Sequence, residues 1–420
     1  MIMLKRNEAF EWLTKGALLV FLSVLFGYGP DQSWVFIPAE ILFVAVFGVR
    51  FIIKRYKVSL FAIWSLVFFF LGALTLLYTP DKHMTLTRTK SLLQVLVFAN
   101  LLMPYLLESR EKYHSFLISS LLASTFLMVR LLLSAPFKDI MQQRIGVTVQ
   151  VSPNTVGYIF SIIVVIAFSY FLHQKKLWWL LVFLTFTVFS ILTGSKKVVL
   201  FIGVGLFLLV LLNQKSLKGA FFIGALCLVF VALTTVLIFV WEPLYRLMGS
   251  RIIGMISVLR GTGVEESTNI RLDMIQEGWA LFLQKPLFGW GLGAFTVLSK
   301  WNMYSHNNYT ELLVSVGLIG TIAYYFLYVY LIVKGLQLLK TGKERSYYIL
   351  AISILVAMLF DGIGRVPYNE EISNILLALC YAGVMIEYPQ KGLDLFEIGG
   401  RVKTFFKNPS QFLHRSSRAQ

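Results

Sequence analysis

The chain has 420 residues, 57% of them hydrophobic and only 14% charged, with a formal net charge of +17. A soluble globule carries about 25% charged residues, so an ordinary water-exposed enzyme is excluded and a polytopic membrane protein is expected. The positive balance suits a basic face lying on anionic lipid and does not call for a nucleic-acid partner.

Runs of about 17 to 25 apolar residues cross a bilayer. Such runs stand at 10–28, 34–53, 58–78, 89–107, 114–135, 155–172, 177–193, 197–212, 219–241, 307–333, 347–364 and 371–387, which predicts an all-α fold of twelve spans. The first run follows Lys5 and Arg6 but no A-x-A-like cleavage site, so it is read as a retained helix. With the N-terminus inside, the inner segments hold 23 of the 38 basic residues and the outer ones 14. By the positive-inside rule both termini are then cytoplasmic. Four regions are expected: helices over 1–189, a core over 190–335 with a large extracytoplasmic loop at 242–306, two further helices over 336–387, and a basic cytoplasmic tail over 388–420. Cys227 and Cys380 fall inside predicted helices and indicate no disulfide framework. The five histidines show no metal-ligand spacing, so neither a metal nor another cofactor is expected.

Chemistry is sought at the outer helix ends. Before the sixth span stand Arg144 and the run Ser152-Pro153-Asn154-Thr155. Arg144 is open to headgroup or substrate contact, and Asn154 suits a helix cap. Between the seventh and eighth spans, Thr193-Gly194-Ser195-Lys196-Lys197 puts two lysines at a helix N-terminus, where the dipole disfavours cations. Either an anion is cradled there or both extend into headgroups. Over 269–282 Leu272, Ile275, Trp279, Phe282 and Leu283 recur at helical spacing, predicting an amphipathic helix on the membrane surface. Ser267, Thr268 or Asn269 is expected to cap it and Pro286 to stop it. In the turn that follows, Gly289, Gly291 and Gly293 permit close approach of another chain segment or a phosphate. His306 precedes the tenth span, whose dipole favours a neutral imidazole able to accept a proton. Glu311, costly inside a membrane helix, either orients His306 or binds a sugar. Asp361 and Arg365, one turn apart, read as a brace.

Taken in order, Thr193-Gly194-Ser195-Lys196, Arg271…Trp279…Pro286-x-x-Gly289-x-Gly291, His306-Asn307-x-x-x-x-Leu312 and Gly317-x-x-Gly320 resemble the O-antigen ligase and polymerase superfamily, best over about 190–335. The resemblance implies a metal-independent glycosyltransferase of the bacterial cytoplasmic (inner) membrane, working at its outer face. It implies an undecaprenyl diphosphate-linked glycan donor and a glycan or lipid-linked acceptor, with flippase and chain-length regulator proteins as partners. Arg271 then engages the donor diphosphate, His306 acts at the acceptor hydroxyl, and Lys196 stands where the superfamily commonly has arginine. Lys197, Arg144, Asn154, Glu311, Gly289 and Gly291 complete the expected binding set. The reading leans to polymerisation of capsule, exopolysaccharide or O-antigen repeats, with ligation to a lipid A core or protein as the alternative. From another class, a transporter or lipid-linked glycan flippase also suits twelve helices, although the two halves show no internal repeat.

Overall fold

The computed structural model describes residues 2–134, 145, 149–214, scattered positions over 218–242, 245–260 and 266–387. Among the described residues every regular element is helical. The first eight are α1 (Ile2–Gly27), α2 (Ser33–Lys54), α3 (Leu60–Leu74), α4 (Lys82–Glu108), α5 (Arg110–Ser134), α6 (Pro153–Gln174), α7 (Leu177–Leu192) and α8 (Lys196–Asn213). After them come α9 (Ser250–Leu259), α10 (Glu266–Gln284), the short α11 (Ala294–Leu298), α12 (Asn308–Thr341), α13 (Arg345–Asp361) and α14 (Glu371–Met385). Eight of these, α1 to α6, α8 and α12, are long and apolar enough to cross a membrane. The expected span at 219–241 falls largely outside the described residues, as do Arg144, Cys227 and the tail 388–420.

Burial explains why α14 manages with fewer residues. From Ile372 to Val384 every side chain of α14 is buried, wedged against α4 and α13, so this helix is shielded by protein on all sides. The outer helices instead present bare apolar side chains: Trp12 is 73% exposed, Ile52 75% and Leu133 83%. Apolar surface on that scale needs hydrocarbon rather than water around it. The protein is a multi-pass membrane protein.

Charged groups gather at the two ends of the bundle. At one end the buried Arg50 guanidinium bonds Glu11 at 2.8 Å, Glu108 through both oxygens, and Tyr56. Lys112 also binds Glu11, and Arg110 pairs with Glu344. Glu387, just past α14, accepts the N–H groups of Lys343 and Glu344, which puts both described ends of the chain on this same face. Removing one partner of such a buried cluster strands the others and costs about 3–5 kcal/mol. Arg50→Ala is therefore expected to lower the thermal stability of the detergent-purified protein markedly, while Lys15→Ala, in an exposed pair with Glu111, leaves it nearly unchanged.

At the opposite end a loop completes a helix. α12 breaks at Gly317, whose φ of 64° and ψ of −167° lie in a region only glycine adopts readily. The break orphans backbone groups on both sides, and the 286–291 turn supplies their partners. Trp290 N–H donates to the Val314 carbonyl at 2.7 Å and Gly291 N–H to that of Ser315 at 2.8 Å. Leu318 and Ile319 N–H groups donate back to the carbonyls of Pro286 and Leu287. Gly289 and Gly317 meet here without side chains: a Cβ on Gly289 would sit 2.6 Å from the Gly317 nitrogen. Leu292, fully buried, seats the same turn against Gly72 of α3.

Candidate active site

α10 carries Arg271 toward the N-terminus of α12. Gly278 lies so close to Thr310 that an added Cβ would be 2.1 Å from its methyl group, and Met274 is fully buried with Phe295 and Val314. Arg271, Met274 and Gly278 share a face at i, i+3, i+7, so the packing that seats Gly278 also aims Arg271. The helix starts at Glu266, which places Ser267, Thr268 and Asn269 within its first turn rather than at a cap. Its buried stripe is Met274, Gly278 and Phe282, while Leu272, Trp279 and Leu283 of the expected apolar face stay exposed, as an interfacial helix requires.

His306 stands just before the α12 cap with φ 55°, a left-handed conformation. The loop around it is fastened at several atoms. Asn307 caps α12, its side-chain oxygen accepting from Tyr309 N–H at 2.9 Å and Thr310 N–H at 3.0 Å, while its amide donates to the Ile363 carbonyl. Glu311, 2% exposed, accepts the Ser305 N–H at 2.9 Å. The Tyr304 ring lies 4.2 Å from the imidazole. Fastened on both sides, the ring itself is half-buried, and among the described residues neither of its nitrogens has a hydrogen-bond partner. Burial first, then the charges of Arg271 and Lys197, push the imidazole down to about 4. The neutral ring expected from the helix dipole is thus present for different reasons.

Lys197 approaches from α8. The turn before it, with Gly194 at φ 61°, packs on α6: a Cβ on Gly157 would lie 2.5 Å from Val198 and 2.7 Å from the Thr193 hydroxyl. The Lys197 side chain runs over Gly364, whose added Cβ would meet Lys197 Cε at 2.8 Å. Beside it Arg365 bonds Glu370 at 2.5 and 3.1 Å, reaches Asp361 at 3.7 Å and lies 3.7 Å over the Tyr158 ring. The expected Asp361–Arg365 brace is therefore secondary to Glu370. Lys196 holds the first position of α8 and is half-buried.

Two expectations change. Asn154 does not cap α6: Ser152 is the cap residue and Pro153 the first helical one, so Asn154 sits one position further in. On that helix it shares a face with Gly157 and Tyr158, which border the Lys197 turn and Arg365. Gly289 and Gly291 are buried, their N–H groups donated to Lys285 and Ser315 carbonyls. What they approach is the backbone of α12 and the Thr79 hydroxyl, so they serve the loop's seating rather than a phosphate.

Residues 179–325, the stretch running from α7 through His306 into α12, match the family described as O-antigen ligase. Over that stretch the chain is similar to the O-antigen ligase family. No curated protein matches the chain. Within the matched stretch fall Lys196, Lys197, Arg271, Glu311 and His306, whereas α4, α6 and α13 lie wholly beyond it and border the same cluster. Sequence reasoning passed over Arg88 on α4, whose stem packs on Gly293 with an added Cβ only 2.9 Å from Arg88 Cγ. The signal available was charge: Arg88 and Lys90 stand in a segment assigned outside, against the inward preference of basic residues. Tyr304, whose ring is tilted against that of His306, was passed over too. Among the described residues no three metal-ligating side chains gather.

Proposed function

We propose that the protein transfers a glycan from an undecaprenyl diphosphate-linked donor to a sugar hydroxyl at the outer membrane face, polymerising repeat units of a capsule, exopolysaccharide or O-antigen. The observation that carries this reading is the neutral, hydrogen-bond-free imidazole of His306 within the field of two cations, Arg271 and Lys197, in a stretch similar to the O-antigen ligase family. A neutral imidazole accepts a proton, and fixed cations hold the charge of a departing diphosphate. The acceptor oxygen bonds the anomeric carbon as the bond from that carbon to the diphosphate oxygen breaks. The hydroxyl proton passes to His306, undecaprenyl diphosphate leaves, and configuration at the anomeric carbon inverts. Arg271 and the Lys196–Lys197 pair hold the diphosphate, and Glu311 positions the 304–307 loop through Ser305. No metal takes part in this scheme.

The test is to incubate the purified protein in detergent with chelator and a lipid-linked repeat unit as sole sugar substrate, resolving products by length. A ladder is expected. Transfer only after a lipid A core acceptor is added would establish ligation instead, and no transfer to either would remove the reading and turn attention to flipping. Arg271→Ala is expected to lower turnover by about 10²- to 10³-fold, the cost of losing one preorganised charge-stabilising donor. Arg271→Lys recovers only part of that if the guanidinium grips phosphate with two N–H groups; full recovery would reduce its role to a point charge.

A further inference from the structure

Three cations face the His306 loop from three different helices, and two of them belong to the site already described. The third is Arg88, one turn beyond Thr85 on α4. Its position is built: Gly293 at φ 78° lies against its stem, and Gly291 lies against Thr79 and Thr85 just before it. α11, which follows Gly293, packs on α4 as well as on α12. The Arg88 stem is therefore packed on the segment that directly follows the turn completing α12.

The nearby carboxylates are engaged elsewhere. Glu370 and Asp361 flank Arg365, and Glu311 accepts the Ser305 N–H. Among the described residues none of Arg88, Lys197 and Arg271 has a carboxylate within ion-pair distance. The Tyr304 hydroxyl lies in the field of Glu370 and Arg365 first and then of Arg271 and Arg88, and Arg88 also acts on Glu311 and Tyr368. Cations left unpaired around one aromatic pair repel one another, and that repulsion is relieved when an anion enters between them. An anion with two linked phosphates matches a site whose cations come from three different helices.

We propose that Arg88 is a substrate-binding residue that grips the diphosphate of the lipid-linked donor from the α4 side, alongside Arg271 and Lys197, so that the diphosphate is clamped among cations of three helices. This rests on the donor assignment made above. With both phosphates held, the site distinguishes a diphosphate from a monophosphate lipid, and the guanidinium fork supplies two parallel N–H bonds.

The test measures binding of undecaprenyl diphosphate and undecaprenyl monophosphate to the full detergent-purified chain, wild type against R88Q and R88K, with the melting temperature of each variant recorded. Expected for R88Q is a loss of diphosphate affinity of about tenfold or more, as for a hydrogen-bonded charge, with a smaller loss for the monophosphate and an unchanged melting temperature. R88K is expected to fall between. Should R88Q not accumulate, R88K decides: wild-type affinity and discrimination in R88K overturn the clamp. A wild type that binds neither lipid overturns the donor assignment itself, whereas a wild type that prefers diphosphate beside an R88Q that prefers it equally overturns only the role of Arg88. Loss of co-purifying phosphatidylglycerol in R88Q, with diphosphate affinity intact, would likewise overturn it and assign the cation to a headgroup.

Discussion

His306→Ala is expected to lower kcat by about 10²- to 10⁴-fold, the range that a positioned general base contributes, while the purified protein keeps its melting temperature. The imidazole is half-buried and makes no hydrogen bond among the described residues, so its loss removes little packing. The acid side of the pH profile gives the sharper measurement. Neutral imidazole is the active form, so activity rises as pH climbs through its pKa and is lost below it. In the free protein that pKa is about 4, from burial and then the charges of Arg271 and Lys197. The acid limb of kcat/KM, which reports the free protein, is expected near that value. Bound donor brings negative charge that offsets the two cations, so the acid limb of kcat, which reports the complex, should lie at higher pH. Arg271→Gln removes one of the depressing charges and should move the kcat/KM limb upward. Coincident limbs, or a limb unmoved in Arg271→Gln, would show that the cations do not tune the base.

Gly317→Ala is expected to cost as much activity by a different route, through the fold. The added methyl carbon would lie 2.4 Å from the Leu287 carbonyl group and 2.6 Å from the Phe288 nitrogen, all backbone atoms that cannot swing aside. Its dihedral angles alone cost about 1–3 kcal/mol for a residue with a Cβ. Relief requires the 286–291 turn to leave the break, which frees four backbone hydrogen bonds and lets the α10 end drift from His306. Melting temperature and turnover should fall together, and Gly289→Ala should reproduce the effect from the other side of the contact. Gly16→Ala, where nothing lies within 4 Å of the new carbon, is the control. A Gly317→Ala protein as stable as wild type would show that the turn is not needed to complete α12.

The helical fold was legible because membrane helices are written in runs of apolar residues, and eleven of the expected spans coincide with described helices. The similarity to the O-antigen ligase family over 179–325 was legible from the order of the motifs along the chain. What periodicity does not carry is which distant segment fills a broken helix. Gly289 and Gly291 read as ligand-approaching glycines because φ is all a glycine motif announces; Gly317, which meets Gly289, lies 28 residues away, and Ser315, which accepts from Gly291, lies 24 away. Arg88 was hidden for a related reason, since it reaches the site from a helix more than 200 residues before His306. Glu370 displaced Asp361 as the main partner of Arg365 because the chain turns through Pro367–Asn369 and returns the later carboxylate to the guanidinium.

The spliced helix has a consequence for amide exchange. Because Trp290, Gly291, Leu318 and Ile319 close a ring of bonds between two separate stretches, none of these amides can meet deuterium without the others being released. They should therefore exchange as one cooperative unit, and mass spectra of peptides covering 286–291 and 314–319 should gain deuterium at one shared rate, slower than that of the exposed half of α10.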